Sequence, residues 1–237
     1  MTERGRGAAV QTADQLSIGP SNLRWTGEAL EIDIVERDTR LFNPIHRRVR
    51  GTVRVIPKAV NTVAFGLDPA ARHRWHCLAP RAHVEVDMHQ PDVSWKGDGY
   101  LDSNFGEESL EAGFRMWHWS RAHTRDGSVV NYEGLRRDGS SFASALRFDR
   151  HGSPEPAELP DVARLPNTLW QVQRRTRADE GQARVLDTWE DSPFYARSSF
   201  IAQLYGERVV GVQESLDLDR FTSPVVQFML PFRMPRV

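Results

Sequence analysis

The sequence has 237 residues, 39% of them hydrophobic and 27% charged, with a formal net charge of −1. That length allows one large β domain or two small ones, each with its own core, and near-neutrality gives no general attraction to nucleic acid or anionic lipid. The single cysteine, Cys77, excludes an internal disulfide and a Cys-based zinc cluster.

Residues 1–22 are polar, with a turn at Gly19-Pro20. The opening Met1-Thr-Glu-Arg-Gly-Arg-Gly7 lacks the apolar stretch of a secretory signal. No apolar run approaches the roughly 20 residues that span a bilayer. A soluble, cytoplasmic protein is therefore expected. Leu30–Glu36, Val49–Ile56 and His83–Met88 alternate apolar and charged residues, the pattern of half-buried strands. Trp95 to Glu108 follows, with Gly97, Gly99 and Gly106 around one acid, Asp102. Phe114–Arg121 reads as a strand, and Asp126-Gly127 and Asp138-Gly139 signal hairpin turns into Val129–Glu133 and Phe142–Phe148. Pro154, Pro156, Pro160 and Pro166 mark residues 151–168 as a long connection. Strands are expected to resume at Leu169–Gln173, Ala183–Glu190, Val209–Gln213 and Val225–Leu230. Ser198 to Gly206 fits a helix or a strand. Many short strands with turns between them predict an antiparallel all-β sandwich or barrel. A break near residue 110 would leave two β halves, 1–110 and 111–237.

In an extended segment Tyr100, Asp102 and Asn104 share one face, so an acid stands between a phenol and an amide. Seven tryptophans, at 25, 75, 95, 117, 119, 170 and 189, serve core packing or line an apolar pocket suited to a lipid-like ligand. No dinucleotide fingerprint, phosphate loop or Gly-x-Ser-x-Gly elbow occurs. His73, His76, His83 and His89 match no familiar metal-ligand spacing, so no metal is expected.

Four blocks then carry a resemblance: Gly97-Asp-Gly-Tyr-Leu-Asp-Ser-Asn-Phe-Gly106, Trp117-His-Trp-Ser-Arg121, Ser192-Pro-Phe-Tyr-Ala-Arg197 and Met229-Leu-Pro-Phe-Arg-Met-Pro-Arg236. Together they resemble the acyclic carotenoid 1,2-hydratases, or hydroxyneurosporene synthases. The resemblance implies two lipocalin-like β-barrel halves. It also implies cofactor-independent addition of water to the terminal C1=C2 isoprene double bond of an acyclic carotenoid of the lycopene or neurosporene type, giving a tertiary alcohol. Members usually carry further residues ahead of the segment that Met1–Arg6 resembles.

Markovnikov hydration needs a carboxylic acid still protonated near neutral pH, and burial raises a carboxyl pKa by up to roughly 3–5 units. Asp102 is the candidate acid, the position to which the resemblance also points. Tyr100 is expected beside it, and Tyr100 and Asn104 would orient it or hold water. Trp75 and either Trp117 or Trp119 would surround the cation. Phe194 and Tyr195, in the third matching block, join the expected substrate contacts. Glu107 and Glu108 are reserve acids. A peripheral membrane contact is expected from such a substrate. The alternatives are a non-catalytic lipocalin-like carrier of an isoprenoid and a related lipocalin-like cyclase acting on another polyene.

Overall fold

The structure, a computed structural model, describes residues 4–37 and 48–233. The ends of the Met1–Arg6 and Met229–Arg236 segments therefore lie outside the described residues. In chain order the strands begin with β1 (Ala9–Gln11), β2 (Gln15–Ile18), β3 (Ser21–Trp25), β4 (Leu30–Arg37), β5 (Arg48–Pro57), β6 (Phe65–Gly66), β7 (His73–Gln90) and β8 (Asp92–Gly106). Helix α1 (Leu110–Gly113) precedes β9 (Phe114–Thr124), β10 (Gly127–Arg136), β11 (Ser141–Phe148), β12 (Pro154–Pro156), β13 (Asp161–Leu165) and β14 (Arg174–Ala178). Then come β15 (Ala183–Asp191), β16 (Tyr195–Leu204), β17 (Glu207–Asp217), α2 (Leu218–Phe221) and α3 (Pro224–Arg233). Among the described residues no helix is long and apolar enough to cross a membrane.

The chain divides into two compact units: residues 1–58, 81–101 and 227–237 form the first, and residues 59–80 and 102–226 the second. These are interleaved in sequence, whereas the sequence reading expects consecutive halves meeting near residue 110.

In the first unit β1 to β5 run as an antiparallel meander, and β5 continues onto Ala82–Gln90 of β7. The expected strands at 30–36, 49–56 and 83–88 all lie in it. Gly99 on β8 is needed for close approach, because a Cβ there would overlap the Val84 side chain.

The second unit is built on an antiparallel sheet in the order β12-β11-β10-β9-β17-β16-β15. The Asp126-Gly127 and Asp138-Gly139 steps do close the β9–β10 and β10–β11 hairpins, with Gly139 at φ +85°, where a side chain would be strained. Alternation gives this sheet two covered faces. One carries Trp117, Trp119, Val130, Tyr132, Phe142 and Phe148. The other carries His118, Ser120, Asn131, Glu133, Gln213 and Ser215, all buried, and the β13–β14 hairpin packs against it. Buried polar groups require partners. His118 Nδ1 lies 2.7 Å from Ser215 Oγ, which donates to Gln213 Oε1 at 3.2 Å. Glu133 is ion-paired with both Arg175 and Arg177.

Several local expectations are corrected. Residues 1–22, read as a polar stretch without strands, contain β1, β2 and the start of β3; the side chains of these strands are largely exposed, so apolar alternation does not mark them. Leu169–Gln173 is a turn closed by Gln171 N–H to the Thr168 carbonyl at 2.9 Å, and Leu169 is 94% exposed. Val225–Leu230 is the body of α3. Pro224 at its first position has the φ a helix needs, and Ser223 Oγ accepts the Val226 N–H at 3.4 Å. Ser198 to Gly206 resolves as strand, most of it in β16. The connection over 151–168 holds β12 and β13.

Candidate active site

The candidate site belongs to the second unit and begins with β6 and β7. Phe65 stands opposite Trp75 in register, and His73 and Trp75, two apart on β7, are both buried. The Trp75 indole meets Tyr132 and Phe148 edge-on, at centroid separations of 5.8 and 6.4 Å. Trp117 meets the same Tyr132 ring at 5.9 Å, and Phe114 lies edge-on to both Trp117 and Phe142. Edge-to-face packing is the favoured arrangement of aromatic quadrupoles, so the rings fix one another's orientation.

One carboxyl group enters this cluster. Trp75 Nε1–H donates to Asp102 Oδ2 at 2.8 Å, and Asp102 is half-buried. Two residues on, Asn104 Oδ1 accepts from the Tyr132 hydroxyl at 3.4 Å. Burial raises the Tyr132 phenol well above its ordinary pKa, and the charges of Asp102 and Glu214 push it the same way. That phenol therefore stays protonated and stands within electrostatic reach of two carboxyls.

Of the residues singled out from sequence, Trp75, Asp102, Asn104, Trp117 and Trp119 come together here. Trp119 is buried and stands opposite both Tyr132 and Glu214 in register. Tyr195, on the same face of β16, hydrogen-bonds Glu214, and its phenol is raised chiefly by burial. Phe194 faces away and packs on Phe221 of α2, at a centroid distance of 5.0 Å. Tyr100 is half-buried on β8 and belongs to the first unit. Glu108 accepts from Arg72 and lies 3.2 Å from His73 Nε2, and Glu107 is exposed. Among the described residues no group of three or more His, Cys, Asp or Glu is placed to hold a metal ion.

Sequence reasoning missed Tyr132 and Glu214. The available signal was a polar residue interrupting an inward row: Val130-x-Tyr132 on β10, and Val212-x-Glu214-x-Leu216 on β17. A cavity of about 520 Å³ elsewhere in the unit is lined by Met116, Leu135, Trp170, Asp217, Arg220 and Val226, among others, and not by Asp102.

The antiparallel sheets make this an all-β protein of the lipocalin-like class. The crystal structure of a protein assigned as AttH from Nitrosomonas europaea superposes on 90% of this chain and 72% of its own, with a TM-score of 0.59 at 14% identity; this likeness concerns the fold. The profile of the family described as carotenoid hydratase CrtC matches residues 1–237, and the chain belongs to that family. It is 53% identical over 239 residues to the acyclic carotenoid 1,2-hydratase of Thiocapsa roseopersicina and 44% identical to that of Rubrivivax gelatinosus. Both alignments cover the whole of this chain and 58% of the relative, so the chain spans somewhat over half their length.

Proposed function

We propose that the chain carries the hydration chemistry of an acyclic carotenoid 1,2-hydratase: addition of water to the terminal C1=C2 bond of an acyclic carotenoid, without a cofactor. The observation that carries the reading is the Trp75 Nε1–H···Oδ2 Asp102 bond of 2.8 Å within the aromatic cluster. That bond holds the carboxyl group of Asp102 against the aromatic rings. Asp102 donates a proton to C2, and the cation forms at tertiary C1. The faces of Trp75, Trp117 and Tyr132 stabilise that charge by about 0.5–2 kcal/mol each when desolvated. Water adds to C1 and releases one proton, matching the one given to C2, so each turnover is redox-neutral and needs no net proton supply. Asn104, which accepts from the Tyr132 hydroxyl, orients the acid or the water. A peripheral contact with the membrane that dissolves such a substrate goes with this reading.

The test is product formation from lycopene by the purified protein without added nucleotide or metal. The expected product is the 1-hydroxy tertiary alcohol, lost in Asp102→Asn by about 10²–10⁴-fold in rate. Binding of lycopene without conversion would instead identify a carrier. Hydration undiminished in Asp102→Asn would remove Asp102 from the role of acid.

A further inference from the structure

One carboxylate has no role in the scheme above, although it faces the same cluster. Glu214 on β17 lies directly opposite Trp119 on β9, and Trp119 lies opposite Tyr132 on β10. On its other side Glu214 is opposite Arg197 of β16, which is opposite Glu190 of β15. The row Tyr132, Trp119, Glu214, Arg197, Glu190 thus crosses five strands on one face. Residues directly opposite in antiparallel pairs are close enough for their side chains to interact.

The Glu214 carboxyl is held from two directions. Arg197 Nε lies 3.2 Å from Oε1, and the Arg197 guanidinium sits 5.9 Å from the Trp189 ring centroid. The Tyr195 hydroxyl, two residues before Arg197, donates to the same carboxyl. The charge of Asp102 acts on Glu214, and both charges act on the Tyr132 phenol. Burial lifts Glu214 above the usual carboxylate range, while Arg197 and Tyr195 oppose that lift.

We propose that Glu214 is the second carboxyl group of the reaction: it positions the attacking water and takes its proton. The inference rests on the hydration reading and deepens it. The chemistry motivates two groups, because the acid serves C2 while water must approach the neighbouring C1. The Asp102 O–H bond breaks as the C2–H bond forms. The water O–H bond then breaks toward Glu214 as the C1–O bond forms. Glu214 ends protonated and Asp102 ionised, and proton exchange through solvent restores both. Arg197 offsets part of the burial that lifts Glu214 and anchors its carboxyl by the ion pair, and Tyr195 restricts which oxygen faces the water.

The deciding experiment follows lycopene in D₂O with wild type, Glu214→Gln and Asp102→Asn, measuring both alcohol formation and deuterium at C2 of recovered alkene. Glu214→Gln is expected to lower hydration by about 10²-fold or more while deuterium still enters the alkene, because Asp102 still protonates and the uncaptured cation gives a proton back. Asp102→Asn is expected to lose both signals. Tyr195→Phe, which keeps the ring, is expected to lower hydration about tenfold with exchange retained. Hydration by Glu214→Gln within about threefold of wild type would overturn the proposal. So would loss of hydration and exchange together in both Glu214→Gln and Tyr195→Phe. If Asp102→Asn kept both signals, the failure would fall on the acid assigned under the hydration reading, not on Glu214.

Discussion

The indole N–H of Trp75 and the carboxyl group of Asp102 meet at 2.8 Å, 27 residues apart in sequence. Trp75 is 1% exposed and edge-packed on Tyr132 and Phe148, so its donor is held by neighbours that do not depend on Asp102. Replacing Trp75 by Phe keeps an aromatic ring and removes the N–H. A hydrogen bond to a neutral carboxyl group contributes about 0.5–1.5 kcal/mol, so hydration is expected to fall about 2- to 10-fold. Steady-state assays beside thermal melts of Trp75→Phe check this. Rates unchanged in a folded variant would show that the indole donor does not orient Asp102.

The strands were legible where one face is wet and the other covered. Leu30–Glu36 and Val49–Ile56 alternate because charged residues such as Glu31 and Arg54 form ion pairs at the surface, and the Asp-Gly turns announced β9–β11. The N-terminal strands β1–β3 were not legible, because exposed side chains leave no apolar period to find. The apolar run Val225–Leu230 has no period of its own to separate strand from helix, and Pro224 was the overlooked signal. Asp102 stood out within its glycine-rich segment, and the tryptophans stood out by size. Tyr132 and Glu214 join them only through the register of β9 between β10 and β17, and the pairing of β9 with β17 joins segments far apart in sequence, which local periodicity does not encode.

His118 provides a pH prediction. Burial, with a smaller contribution from the charge of Arg175, depresses its pKa from about 6.5 to about 3. Between those values the unfolded chain binds a proton that the folded chain refuses. The stabilisation is therefore complete above pH 6.5 and is lost progressively as pH falls toward 3, at about 1.4 kcal/mol per unit. Urea denaturation of wild type and His118→Gln at pH 6.5 and 5.0 isolates the effect. Over those 1.5 units the advantage of wild type is expected to shrink by about 2 kcal/mol. Parallel losses in the two proteins would mean that His118 titrates normally.

Gly134 on β10 tests whether the rings around the candidate site are fixed by packing. It stands opposite Trp117 on one side and Phe142 on the other. An alanine Cβ at this position would lie 2.6 Å from Phe142 Cε1 and 3.2 Å from the Met116 carbonyl oxygen. The Phe142 ring cannot yield freely, because Tyr132 and Phe114 pack on it at 5.8 and 6.0 Å and the Arg136 guanidinium lies 4.9 Å from its centroid. Gly→Ala in open space stabilises by about 0.4–1 kcal/mol through the unfolded chain, whereas overpacking a core costs about 1–3 kcal/mol. The net expectation for Gly134→Ala is a loss of about 1–2 kcal/mol, with altered near-ultraviolet circular dichroism as Phe142 displaces Tyr132. Adding Phe142→Leu should recover part of that loss by making room for the methyl group. A Gly134→Ala protein as stable as wild type, with its aromatic spectrum unchanged, would show that these rings move easily and do not fix Tyr132.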